Sequence, residues 1–215
     1  MQESIPIDDI IVDLLYQVAA GKAHMDLAER LTEADPVVLN AARTFFAMTI
    51  DAHLFVALMY AARIHDDQRN ATTIQTLFER AAVSSAKHGT ATEVDAAIKS
   101  AKHTLKGLDR QLQRLDKWRN RRLAHNQSIM TDPAFATMEA KKEAGDLRAI
   151  YEGTGEILNE FSRLYRDVYA VLDIIGQDDY TTVLDFVSDA KCQQAKSYEK
   201  EFGKPAPFPR PKNCP

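Results

Sequence analysis

With 215 residues, 45% of them hydrophobic and 27% charged, the chain can bury one substantial core beneath an ordinary soluble surface. A formal charge of −4 excludes a wholly basic nucleic-acid coat, yet it allows a local basic site, because a polyanion feels the patch and not the sum. The opening MQESIPIDD lacks the basic start and apolar run of a secretory leader, and Cys192 and Cys214 have no CxxC spacing, so reduced thiols in a cytoplasmic protein are expected.

Glycine and proline number eight each, and five of the prolines fall in the last eleven residues, which leaves the rest of the chain free for long helices. A first helix is expected from about Asp8, with Ile10, Ile11, Leu14, Leu15 and Val18 on one stripe and a weaker continuation towards Leu31. Asp35 can cap a second helix with Pro36 in its first position, and the pattern runs on to about His65, a length of about 45 Å. Its most apolar part, Thr44 to Ile64, carries Asp51, His53 and Arg63. These charges are costly in lipid, so a buried core helix is expected and no membrane span, with Asp51 paired to a core arginine such as Arg63 or Arg43 or else helping to position the site.

A shorter helix holds Ile74, Leu77, Phe78 and Ala81, and Ser84 to Ala91 reads as a loop. Thr92-Glu93-Val94-Asp95 resembles a capping box that opens a long helix through Val94, Ile98, Ala101, Leu105, Leu108, Leu112, Leu115 and Trp118. Gly107 inside that helix costs ~1 kcal/mol relative to alanine. Asn126 to Glu143 is a connection with a restart at Asp132-Pro133. From Asp146 the three- and four-residue steps Leu147, Ile150, Tyr151, Ile157, Leu158, Phe161, Leu164, Tyr165, Val168, Tyr169, Leu172 and Ile175 predict a helix ended by Gly176. A last helix, capped by Asp179, reaches about Phe202, and the proline-rich end GKPAPFPRPKNCP is expected to be extended or disordered. The fold class is all-α: an up-and-down bundle of long antiparallel helices, with residues 1–202 as one domain, an extra amino-terminal helix, and residues 203–215 as a tail.

Chemistry concentrates between Arg110 and Arg122, where Arg110, Arg114, Lys117, Arg119, Arg121 and Arg122 face a single acid, Asp116. Basic residues near a helix C-terminus also complement the macrodipole, so charge alone does not make this a site. The stretch Arg119-Asn120-Arg121-Arg122-Leu123-Ala124-His125 adds an amide and a group that titrates near neutrality to the permanent cations. On an ideal helix Arg119 and His125 lie about 120° apart. A working site there needs a helix end or distortion, or two chains. Trp118, the only tryptophan, reads as a packing anchor. His24, His65, His88 and His103 form no HxxxH or HExxH pattern, so no metal is expected.

The segment Lys117-Trp118-Arg119-Asn120-Arg121-Arg122-Leu123-Ala124-His125 resembles the R-N-x-x-x-x-H signature of the all-α HEPN superfamily. With Asn40-Ala41-Ala42-Arg43-Thr44-Phe45-Phe46 and Ala62-Arg63-Ile64-His65-Asp66-Asp67, the stretch from Asp35 to Val187 is similar to its abortive-infection AbiU-type branch. That branch often places an acid just after the histidine, where this chain has Asn126 and Gln127. The resemblance implies a metal- and cofactor-independent endoribonuclease in phage defence or toxin-like growth arrest. It further implies a homodimer with a composite site, and an antitoxin or regulatory protein as a possible partner. Arg119, Asn120 and His125 would be catalytic, and Arg114, Lys117, Arg121 and Arg122 would bind RNA. The alternative is a non-catalytic helical dimer that binds RNA or a protein. A basic DNA-recognition helix ranks lower, because no short helix-turn-helix is present.

Overall fold

The computed structural model describes residues 5–66, 71–125, 133–172 and 179–214, with side chains for all of these except 121–125, 133–141 and 143. Among them are eight helices and no strand: α1 (Ile7–Glu33), α2 (Pro36–Ala41), α3 (Arg43–Ile64), α4 (Ile74–Ala81), α5 (Ala91–Gly107), α6 (Asp109–His125), α7 (Pro133–Arg166) and α8 (Asp179–Phe202). The all-α expectation therefore holds. The chain forms two compact units, one of residues 1–25 and 54–174, the other of residues 26–53 and 175–215.

The first unit holds the main core. The first turns of α1 bury Ile10, Ile11, Leu14 and Val18, and the second half of α3 buries Ala57, Leu58, Ala61 and Ile64. From α7 come Leu147, Ile150, Tyr151, Leu158, Phe161, Leu164 and Tyr165, all fully enclosed or nearly so. Both α5 and α6 pack along α7. Each fully buried side chain of this size contributes about 1.5–3 kcal/mol relative to exposure, so this stripe is the principal source of cohesion.

Several boundaries differ from the sequence reading. The helix expected to run unbroken from Pro36 is interrupted at Ala42 (φ −140°, ψ 57°), which closes α2 by donating to the Leu39 carbonyl. The Ala42 carbonyl then receives the Phe46 N–H, and α3 begins. A second break falls at Leu108 (φ −93°, ψ 0°), just after Gly107. The capping box lies two residues earlier than expected: Thr90 accepts from the Glu93 N–H, and the Glu93 carboxylate accepts from the Thr90 N–H at 2.7 Å. The restart at Pro133 opens a helix at once, so α7 takes in most of the expected connection.

At its far end α7 stops at Arg166 rather than Ile175. Asp167 takes the left-handed conformation (φ 54°), which aspartate tolerates better than most residues. Asn159 on α7 then clips the departing chain, receiving the Ala170 N–H at 2.8 Å and donating to the Ala170 carbonyl at 3.2 Å. Leu172 comes back over Gly155, where an added Cβ would lie 2.5 Å from its Cδ1. Consequently Val168 and Tyr169 face solvent instead of extending the core stripe.

In the second unit α2 packs on α8. Asp35 caps α2 as expected, with Oδ1 receiving the Val37 N–H at 2.9 Å, while Oδ2 receives the N–H of Lys212 from the tail at 2.7 Å. These two donors, that of Lys212 foremost, hold its carboxyl below the ordinary carboxylate range. The tail expected to be extended or disordered is tethered at several points. Gly203 (φ 62°) reverses the chain, Ala206 donates to Glu199 at 3.2 Å, Arg210 pairs with the same carboxylate, and Phe208 meets Tyr198 edge-on.

Cys192 and Cys214 are joined in a disulfide, with their Cα atoms 5.4 Å apart, so the expectation of reduced thiols is corrected. The reversal at Gly203 brings position 214 beside α8, a proximity no cysteine-spacing rule anticipates. The core-helix expectation for Thr44 to Ile64 holds only from Leu54 onward. Phe45 and Met48 are about 60% exposed, and Asp51 and His53 are half-buried. By length and composition Arg43–Ile64 is the one helix among the described residues that could cross a membrane, and a third of its apolar window is buried.

Candidate functional site

Helix α6 carries the whole Arg-Asn…His segment. Its inward stripe, Leu115 and Trp118, is buried, and Trp118 joins the main core as the packing anchor expected of it. Arg119 follows directly and is about 29% exposed, with Nη2 at 3.5 Å from Oδ1 of Asp116 one turn earlier. Asp116 is itself mostly exposed, and surface pairs of this kind contribute about 0–1 kcal/mol, so a phosphate can draw Arg119 away at little cost. Asn120 and Lys117 are exposed beside it.

The helix is continuous to His125, without a distortion near Leu123. In register, Arg119 and His125 are therefore six residues and about 9 Å apart along the axis, and about 120° apart around it. Arg121, Arg122 and His125 lie on this last stretch, and their side chains fall outside the described residues, as do Asn126 and Gln127.

Arg114 is engaged differently from Lys117. Its guanidinium grips the Asp146 carboxylate on α7 with two parallel hydrogen bonds, Nε to Oδ2 at 2.6 Å and Nη2 to Oδ1. Such forked pairs are the strong, directional kind, and Asp146 is mostly buried, so Arg114 braces α6 on α7. The two residues are 32 apart in sequence, and nothing local announces the pairing.

A cavity of about 260 Å³ opens on the flank of this helix, lined in part by His65, Asp66, Asp109, Asp116 and Leu112. Thr154 donates its hydroxyl hydrogen to the Ile150 carbonyl at 2.6 Å, so its oxygen accepts from His65 Nε2 at 3.1 Å. The ring proton is thereby assigned to Nε2. Burial lowers the His65 pKa from 6.5 to about 4.

This has a consequence for stability with a definite sign. Between about pH 6.5 and 4 the unfolded ring takes up a proton that the folded ring refuses, so stability is full above that window and falls as pH drops through it. At pH 5 the loss from this group is roughly 2 kcal/mol relative to neutral pH. Urea denaturation of the wild type and His65→Gln at pH 7.5 and 5.0 checks it, because the pH-dependent difference between the two proteins should carry that amount. Equal slopes would refute the assignment.

Described residues that form helices and no strand, with an Arg-Asn…His segment on the last turns of a helix packed against α7, define a HEPN-type protein. Residues 6–183 match the family model of AbiU2, and the chain belongs to that HEPN family. The match takes in α1, which lies outside the stretch that carries the resemblance in sequence, and ends within α8. No curated protein and no solved structure matches the chain.

Proposed function

We propose that the protein is a metal-independent endoribonuclease acting in abortive infection or a related growth arrest in the cytoplasm, with Arg119, Asn120 and His125 as its site. The observation that carries this reading is the intact Arg-Asn…His segment on an uninterrupted α6 of an AbiU2-family chain, with Arg119 partly exposed and, among the described residues, paired to an exposed carboxylate. The chemistry follows from the residue types. An imidazole can take the ribose 2′-hydroxyl proton or return one to the leaving oxygen. The 2′-oxygen–phosphorus bond forms, the phosphorus–5′-oxygen bond breaks, and the 5′-oxygen takes up a proton. Arg119 neutralises the extra charge that gathers on the phosphoryl oxygens, and Asn120 orients the phosphate.

Because Arg119 and His125 diverge in register on one continuous helix, the site is completed by a second copy, Arg119 of one chain serving with His125 of the other. Lys117, Arg121 and Arg122 supply further phosphate contacts, and an antitoxin or regulatory protein would act by covering this cleft. The direct test is incubation of the purified protein with RNA in EDTA, with the ends of the fragments analysed. Fragments ending in 2′,3′-cyclic phosphate and 5′-hydroxyl are expected. Intact RNA that nevertheless stays bound would replace this reading with that of a non-catalytic RNA-binding dimer.

A further inference from the structure

The inward face of α5 and α6 reads Val94, Ala97, Ala101, Leu105, Leu108, Leu112, Leu115 and Trp118, in steps of three and four residues. Val94, Ala97, Ala101, Leu115 and Trp118 are buried, and Leu105 and Leu112 pack against the core. The steps pass the break at Leu108 without a phase shift: Leu108 donates back to Thr104 and Leu105, and Leu112 donates to Leu108 at 3.0 Å. Because the inward stripe keeps its phase, the outward stripe does too. From Lys99 onward, past the exposed Asp95 one turn earlier, that outward stripe is Lys99, Lys102, His103, Lys106, Arg110 and Lys117, and every one of these is exposed. Asp109 and Asp116 stand about a quarter-turn aside, on the cavity flank.

The result is a ridge of five permanent cations on a protein of net charge −4, about 27 Å long from Lys99 to Lys117. It ends at Lys117, just before the Arg119–His125 segment, where in register Asn120 and Arg121 continue its side of α6 while Arg119 lies about 160° round from Lys117. The half of this ridge on α5 does nothing for the core, for the Arg114–Asp146 brace or for the cleavage chemistry. Nor does it serve as a C-terminal dipole counterweight along its full length, since that effect fades within the last turn.

We propose that the Lys99–Lys117 ridge is a track for single-stranded RNA, holding the phosphates on one side of the bond to be cut and leading the strand along α6 to the end that carries the Arg119–His125 segment. This rests on the ribonuclease reading and extends it to α5. A track of this length holds on the order of four or more nucleotides, and a row of lysines on one side engages a backbone without reading its bases. Substrate choice along the track is therefore by strand and charge, with any sequence preference left to the cleft.

The test uses the full-length protein and a fluorescent 12-nucleotide RNA with 2′-O-methyl groups throughout, which cannot be cut by 2′-hydroxyl attack. Anisotropy titrations across a range of salt concentrations compare the wild type with the Lys99→Ala/Lys102→Ala/Lys106→Ala triple variant and with arginine at the same three positions. Alanine is the best helix former, so α5 is retained. Affinity should fall about tenfold or more near 0.1 M salt in the alanine variant, and the slope of log K against log salt should flatten by about 2, close to 0.7 for each lost contact. The arginine variant should bind like the wild type.

An unchanged affinity and slope in the alanine variant, or no binding by the wild type, overturns the track and leaves the ridge to an acidic protein. Cleavage of unmodified RNA in EDTA is scored separately. Binding that depends on the ridge without cleavage would sink the catalytic reading alone, whereas cleavage with an unaltered triple variant would sink the track alone.

Discussion

RNA cleavage should fall by at least ~100-fold when either Arg119 or His125 is replaced by alanine, the loss typical of removing a charge stabiliser or a general acid–base. About a quarter of it should return when the two inactive proteins are mixed. The arithmetic follows from the composite site. If subunits exchange freely, half of the dimers are mixed. In each mixed dimer, one cleft joins both replaced positions, while the other joins an intact Arg119 to an intact His125. A rate measurement on one RNA after mixing checks this, and the mixed dimer isolated by co-expression with two affinity tags should recover about half of the wild-type rate, one of its two clefts being intact. Recovery rests on the register of α6, which sets the two residues about 120° apart on one continuous helix. If the mixture is as inactive as its components, Arg119 and His125 act within one chain, and α6 must unwind when RNA binds.

The second large effect concerns stability. Gly21 lies on α1 where Tyr151 of α7 crosses it, and an added Cβ would overlap the hydroxyl and ring edge of that tyrosine. Tyr151 is about 1% exposed and donates to the Ala57 carbonyl, and burial raises its pKa. It cannot retreat without leaving its own buried hydroxyl unpaired. Overpacking costs about 1–3 kcal/mol and a buried polar group left without its partner about 1–3 kcal/mol more. Against this, alanine gains ~1 kcal/mol over glycine as a helix former.

Gly21→Ala should therefore destabilise the protein by about 3 kcal/mol, a fall in Tm on the order of 10 °C at this chain length. In a Tyr151→Leu background the ring edge and hydroxyl are gone, and the same Gly21→Ala change should become neutral or stabilising. Thermal denaturation of the four proteins in this cycle gives the coupling directly. A Gly21→Ala effect of the same size in both backgrounds would show that the crowding lies elsewhere.

Sequence patterns announced what depends on neighbouring residues. Asp35-Pro36 names a helix start because cap and first turn lie within three residues, and the stripe from Leu147 to Tyr165 names a core face by its period alone. The breaks were hidden because no glycine or proline marks Ala42, and because Gly107 is as compatible with a weak helix interior as with a C-terminus. Two overlapping capping boxes were available, Thr90 with Glu93 and Thr92 with Asp95, and the structure uses the one with the longer acidic side chain.

What joins distant positions left no local trace: Arg114 with Asp146, His65 with Thr154, Asn159 turning the chain at Ala170, and Cys192 with Cys214. For the candidate site, Arg119 and Asn120 could be read as a motif, and Trp118 as its anchor. That Arg114 belongs to a brace while Lys117 stays in solvent could not, because both sit in the same basic run and differ only in what α7 places opposite them.

Trp118 gives the protein an optical handle as well as a packing anchor. It is the chain's single indole, enclosed in the main core and bonded through the backbone to the arginine that would meet the phosphate. Its emission therefore comes from one known place, and every change in it can be assigned to α6. Ultraviolet excitation of the unlabelled protein can report both the collapse of the core and the arrival of RNA, with no dye attached near the cleft.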